Sequence, residues 1–206
     1  LRRPIGQPAF WHLPARRRAC YTCGMIPRSI KAAAAAIALV LPFAAQAELP
    51  QGARAPDFAA QGALGGRTFQ FNLRQALRRG PVVLYFYPKA FTQGCTLEAH
   101  AFAEATDQFR AAGATVVGMS ADDLPTLQKF SREACRDKFA VAAATPQVIA
   151  AYDVDLKRDG TSTGLTKRTS YVIARDGRVV LVHSDMDYRD HVRLTLEAVQ
   201  RLGARR

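Results

Sequence analysis

Apolar and polar positions along the chain change period repeatedly, from the alternation of strands to the three-to-four spacing of helices, with Gly, Pro and Asp marking the changes. From Ala55 to Phe71, two short strand-like runs flank Gly65-Gly66, a hairpin signal. Asn72 is placed to cap a short helix beginning at Leu73, and Gly80 to end it. Val82 then opens an apolar, β-branched and aromatic run that Pro88 stops, which predicts a strand buried on both faces. Beyond it, Leu97, Ala101, Phe102, Ala105 and Phe109 recur at helical spacing until Gly113. Residues 114–121 read as a second buried strand, and Asp122 or Asp123 caps a helix running to about Lys138. A third apolar run covers Phe139 to Ala144, after which Thr145-Pro146 starts another helix. Asp153 to Lys167 is polar and Gly-containing and reads as loop. Thr169 to Ala174 and Arg178 to His183 alternate about Asp176-Gly177, predicting a type I′ hairpin, and a closing helix runs from about Tyr188 to Leu202. Strands alternating with helices predict an α/β fold with parallel crossovers.

The termini change how the composition is read. Met25 opens a stretch with basic Arg28 and Lys31, a short apolar core and Ala45-Gln46-Ala47, the pattern of a Sec signal peptide spanning 25–47 with cleavage after Ala47. A periplasmic or secreted protein beginning at Glu48 is the expectation, with no membrane attachment after cleavage; an uncleaved anchor is the alternative. Residues 1–24 are rich in Pro and Arg without periodicity and read as a mis-assigned start or disordered extension. Their Cys20 and Cys23 form a CxxC that lacks the second pair a zinc site needs. The formal charge of +12 falls to +5 once the seven basic residues before Glu48 are set aside. That moderate charge, scattered without a basic stripe, gives no nucleic-acid signature, and residues 48–206 suit one domain.

Chemistry centres on Cys95, which the pattern places in the first turn of the helix after the buried strand. Free backbone N–H groups and the helix dipole favour an anion there, and a thiolate is such an anion. A buried structural thiol is the alternative. Thr92 supplies either an N-cap or a hydroxyl for the site, Pro88 ends the strand and shapes a wall, and Glu98 lies over the same first turn as Cys95.

The order Pro88, Thr92, Cys95 has the PxxxTxxC spacing of peroxiredoxins, and YFYPKAFTQGCTLEA resembles the bacterioferritin-comigratory, or Q-type, segment of the AhpC/TSA-like thiol peroxidases. RTSYVIARDGRVV resembles that family's Arg-bearing hairpin, so the resemblance spans most of residues 54–203. It implies a thioredoxin-like fold with a central mixed sheet, flanking helices and an N-terminal β-hairpin. It also implies a peroxidase without metal, haem or flavin, in which Cys95 attacks hydrogen peroxide or small organic hydroperoxides. Arg168 would stabilise thiolate and peroxide, with Glu98 orienting it. A thioredoxin-like or other thiol reductant and a monomer or homodimer are further implications. The chain departs from the family at His100, five residues after Cys95, where many members carry a resolving cysteine. Cys135, in the following helix, becomes the candidate resolving cysteine, with an inert core thiol as its alternative. The rival classes are a noncatalytic thioredoxin-fold binding or chaperone module, against which Pro88, Thr92, Cys95 and Arg168 stand together, and a thiol-disulfide exchanger, weakened by the lack of a CxxC after residue 47.

Overall fold

A computed structural model describes residues 48–204, so the readings of 1–24 and of the 25–47 signal peptide, with Cys20 and Cys23, lie outside the described residues. The first elements are β1 (Ala59–Leu64) and β2 (Arg67–Asn72), antiparallel, with Leu64 opposite Arg67. Two residues close that hairpin, and both Gly65 (56°) and Gly66 (75°) take the positive φ of a type I′ turn. Asn72 then caps α1 (Leu73–Arg79), its side chain accepting from the Gln75 N–H. β3 (Val82–Phe86) follows, buried along its whole length.

Three β/α units come next. α2 (Gln93–Ala111) leads to β4 (Thr115–Ser120), α3 (Leu124–Glu133) to β5 (Ala140–Ala143), and α4 (Pro146–Ala151) closes the series. Asp123 is the residue that caps α3. Asp122 instead accepts hydrogen bonds from the Ala90 N–H (2.7 Å) and the Ser120 hydroxyl (2.8 Å), tying the loop after β3 to the end of β4.

The segment read as loop between Asp153 and Lys167 contains a hairpin, β6 (Asp155–Arg158) and β7 (Thr161–Thr166). Both its turn residues, Asp159 and Gly160, have positive φ, the type I′ requirement, while its strands are polar and largely exposed and so carry no apolar alternation. The final pair, β8 (Thr169–Ile173) and β9 (Val179–Ser184), corrects the other turn assignment. Of Asp176 and Gly177 only the glycine has positive φ (85°), and its N–H donates to the Ala174 carbonyl, so a longer turn with a register shift replaces the two-residue type I′ loop. A single 3₁₀ turn, Tyr188–Asp190, leads into α5 (His191–Gly203).

The main sheet is mixed, in the order β2-β1-β5-β4-β3-β8-β9, with β3, β4 and β5 parallel to one another and the rest antiparallel. Side chains of β3 alternate between its two faces. Val83, Tyr85 and Tyr87 join the core with Phe102 and Phe109 of α2, Leu127 and Phe130 of α3 and Val199 of α5. Val82, Leu84 and Phe86 join the opposite core with Leu73 and Leu77 of α1 and Val148 and Ile149 of α4. The expected sheet flanked by helices with an N-terminal hairpin is therefore the observed architecture.

Candidate active site

Cys95 is the third residue of α2 and is 1% exposed. Tyr87 extends β3 by donating its N–H to the Met119 carbonyl, and Thr166 donates its hydroxyl to the Tyr87 carbonyl (2.7 Å). Half-buried Pro88, which has no N–H, ends that pairing. Phe91 then takes a left-handed φ of 63°, with its ring edge-on to Phe130 (5.2 Å) and the Lys129 ammonium 5.3 Å from its centre. Such a conformation is uncommon for a bulky residue, so the contacts with α3 hold the turn that delivers Cys95.

Thr92 occupies the N-cap position by backbone, but its side chain makes no capping bond. Its hydroxyl donates to the Lys89 carbonyl at 3.0 Å, and the residue is exposed. The side-chain capping expected of it is absent: the hydroxyl is turned back to the Lys89 carbonyl, and its oxygen accepts from no N–H of the first helical turn. The N–H groups of the first helical turn are left without that acceptor.

Arg168, immediately before β8, reaches Cys95 across the sheet. Its Nη2 lies 3.5 Å from Cys95 Sγ, its Nη1 donates to Glu98 Oε2, and its Nε donates to the Met186 carbonyl at 3.0 Å. All three sides of the fork are engaged, and the residue is 4% exposed. Burial works against the Arg168 charge, but Glu98 and Cys95 outweigh it and hold the guanidinium above its ordinary range. Glu98, fully buried one turn beyond Cys95, uses only one carboxylate oxygen; Oε1 has no hydrogen-bond partner. Burial pushes its carboxyl up to about 8 even though Arg168 pulls the other way.

Cys135 does not lie in α3. The helix ends at Glu133, and Cys135 follows its C-cap in a turn where Arg136 and Asp137 have positive φ (52° and 58°). It is fully buried, and burial pushes its thiol up. Cys95 and Cys135 belong to the same core as Tyr85 and Tyr87, whose hydroxyls burial first, and then Cys135 ahead of Cys95, hold above their ordinary range. The Tyr85 hydroxyl has no hydrogen-bond partner. His100 is half-buried further along α2.

Sequence reasoning missed the groups behind Arg168. His191, Ser170 and the Asp185 and Met186 carbonyls complete its surroundings, and a lone His at a helix start gives no local signal of that. The arrangement offers a sulfur at a helix N-terminus with a fixed cation beside it, suited to a reaction in which negative charge moves from sulfur to a departing oxygen.

The AhpC/TSA family pattern matches residues 51–182. The chain belongs to the AhpC/TSA family. Among its relatives, "Peroxiredoxin Q, chloroplastic" of Gentiana triflora is 31% identical over 121 residues, 58% of this chain and 54% of that protein. "Putative peroxiredoxin bcp" of Helicobacter pylori is 42% identical over 83 residues, 40% of this chain and 52% of that protein. The chain thus spans about half the length of the curated relatives it matches. Among solved structures, peroxidoxin BcpB from Mycobacterium tuberculosis superposes with a TM-score of 0.67 at 30% identity, covering 75% of this chain and 98% of that one. The resemblance to Q-type peroxiredoxins read from residues 82–102 and 168–180 agrees with these AhpC/TSA relatives.

Proposed function

We propose that the protein is a thiol-dependent peroxidase acting on hydrogen peroxide and small organic hydroperoxides. The observation that carries the reading is the Arg168 guanidinium, fixed on Glu98 and the Met186 carbonyl with Nη2 3.5 Å from Cys95 Sγ. The Cys95 thiolate attacks one peroxide oxygen; the S–O bond forms as the O–O bond breaks. The other oxygen leaves with the bonding pair and takes a proton to become water or an alcohol, and Cys95 becomes a sulfenic acid. Arg168 faces charge on the sulfur before the step and on the departing oxygen during it.

Recycling runs through a Cys95–Cys135 disulfide, with water leaving the sulfenic acid, or through an external thiol, and a thioredoxin-like protein supplies the electrons. That Cys95 and Cys135 belong to one core supports the internal route. Both thiols are buried, so the first turn of α2 and the strained turn at Arg136-Asp137 must open locally for the sulfurs to meet. The protein acts in the periplasm or outside the cell, as a monomer or homodimer, after removal of residues 1–47. Cys95→Ser in the full chain tests the chemistry. Peroxide consumption with a dithiol reductant is expected to fall to background while the circular dichroism spectrum is unchanged, and ordinary turnover in that variant removes Cys95 from the mechanism.

A further inference from the structure

The Met186 carbonyl that holds Arg168 Nε comes from residues 185–187, all exposed, and exposed loop backbone is poor support for a catalytic cation unless something buried fixes it. His191 is that buried group. It is 0% exposed; its Nε2 lies 2.9 Å from the Asp185 carbonyl and its Nδ1 2.8 Å from the Ser170 hydroxyl. A carbonyl only accepts, so Nε2 carries the proton, and Nδ1 is left to accept from Ser170. The imidazole thus ties the strand that follows Arg168 to the loop whose Met186 carbonyl holds the Arg168 Nε. Ser170 belongs to β8, two residues after Arg168, and Asp185 precedes Met186 and donates its own N–H to the Arg168 carbonyl at 3.2 Å.

We infer that His191 is a positioning residue for Arg168: as a neutral, Nε2-protonated imidazole it locks the Asp185-Met186 backbone against β8 and so sets the guanidinium on the Cys95 sulfur. Of the groups facing the ring, Arg168 and His183 oppose a charge on it, while Glu98 and Asp185 favour one. Glu98 Oε1 approaches from α2, 3.8 Å from Nδ1; Arg168 and Ser170 lie on the β8 side; His183 of β9 has its ring centre 4.5 Å away; and the Asp185 carbonyl lies on the loop side. Burial, joined by His183 and Arg168, pushes the imidazole down to about 4 although the Asp185 bond pulls it up. The inference also accounts for Ser170, a polar side chain fully buried in a central strand.

Two substitutions divide the two contacts of the ring. A glutamine amide reaches the Nε2 position and can still donate to the Asp185 carbonyl, whereas an asparagine amide reaches only the Nδ1 position beside Ser170. In the full chain, single-turnover oxidation of Cys95 by hydrogen peroxide is expected to stay within about threefold of wild type in His191→Gln and to slow roughly ten- to hundred-fold in His191→Asn, the scale of a misplaced positioning group. Equal losses in the two variants, or no loss in His191→Asn, overturn the inference. Should His191→Asn not fold, nitrogen NMR of the wild-type protein at pH 7 still decides: the Nε2–H tautomer is expected, and an Nδ1–H tautomer or an imidazolium overturns it. The inference rests on Cys95 being the attacking sulfur. Failure of that reading shows separately, as ordinary turnover in Cys95→Ser, while the tautomer is read without any peroxide.

Discussion

Replacing Arg168 with methionine removes the charge while keeping a long, flexible stem in the same space. A unit charge 3.5 Å from a negative sulfur interacts with about 5 kcal/mol at an effective dielectric near 20. Much of that acts on the resting thiolate as well as on the transition state and does not appear in the rate. The part that does is support for the departing oxygen. Losing one such preorganised donor slows reactions by about 10²–10³-fold, or about 3–4 kcal/mol. The variant also leaves Glu98 buried without its partner, and breaking a buried pair from one side costs about 3–5 kcal/mol unless the stranded group neutralises. Glu98 can neutralise, since burial has already pushed its carboxyl up to about 8. Arg168→Met/Glu98→Gln, which has no carboxyl to strand, separates the two effects: it is expected to be no less stable than Arg168→Met and equally slow. The assay is competition for hydrogen peroxide against a peroxidase of known rate, with Cys95 oxidation followed by alkylation and mass spectrometry. A double variant that oxidises as fast as wild type refutes the role given to the guanidinium.

Resolution by Cys135 is read from intact mass after one equivalent of peroxide. Loss of two hydrogens with both thiols blocked to alkylation is expected, and gain of one oxygen with Cys135 still alkylatable defeats the internal disulfide. The pH dependence of stability carries two opposed contributions. The depressed value at His191 contributes stability above 6.5 that is lost as pH falls towards about 4, and the raised value at Glu98 contributes stability below 4.5 that is lost as pH rises through about 8. Between 4.5 and 6.5 the two slopes, each about 1.4 kcal/mol per pH unit, nearly cancel. Glu98→Gln unmasks the histidine, so its melting temperature should fall more steeply on acidification than that of wild type; parallel curves contradict the assignment. Gly80 has an extended backbone, and a Cβ there would lie 1.9 Å from the Gly113 carbonyl oxygen. Gly80→Ala should destabilise by about 1–3 kcal/mol or more in a denaturant titration, and an unchanged midpoint would show that the α1–β3 and α2–β4 junctions do not press together as described.

What is local could be read from the order of residues. The apolar run of β3, the helical spacing after it and the glycines of the first hairpin place Cys95 in a first helical turn, because strand, turn and helix preferences act over a few residues. The β6–β7 hairpin escaped because its strands are polar on both faces, and periodicity reports only an apolar face; its Asp159-Gly160 turn was the legible part. The same Asp-Gly pair at 176–177 formed a different turn, since the register shift of β8 against β9 decides how many residues must be spanned. Cys135 fell outside α3 because the helix stops at Glu133 before a pair of left-handed residues that no propensity announces. The site itself belongs to tertiary structure. Arg168 and Glu98 stand 70 positions apart, and they meet because β8 pairs antiparallel with β3, with Thr169 opposite Phe86, which brings the residue before Thr169 to the strand end that feeds α2. His191, Ser170 and the Asp185 carbonyl join it through the packing of α5 on the same sheet face as α2. A hydrogen bond between distant polar groups leaves no period in the chain, so only the register of the sheet could bring that cluster together.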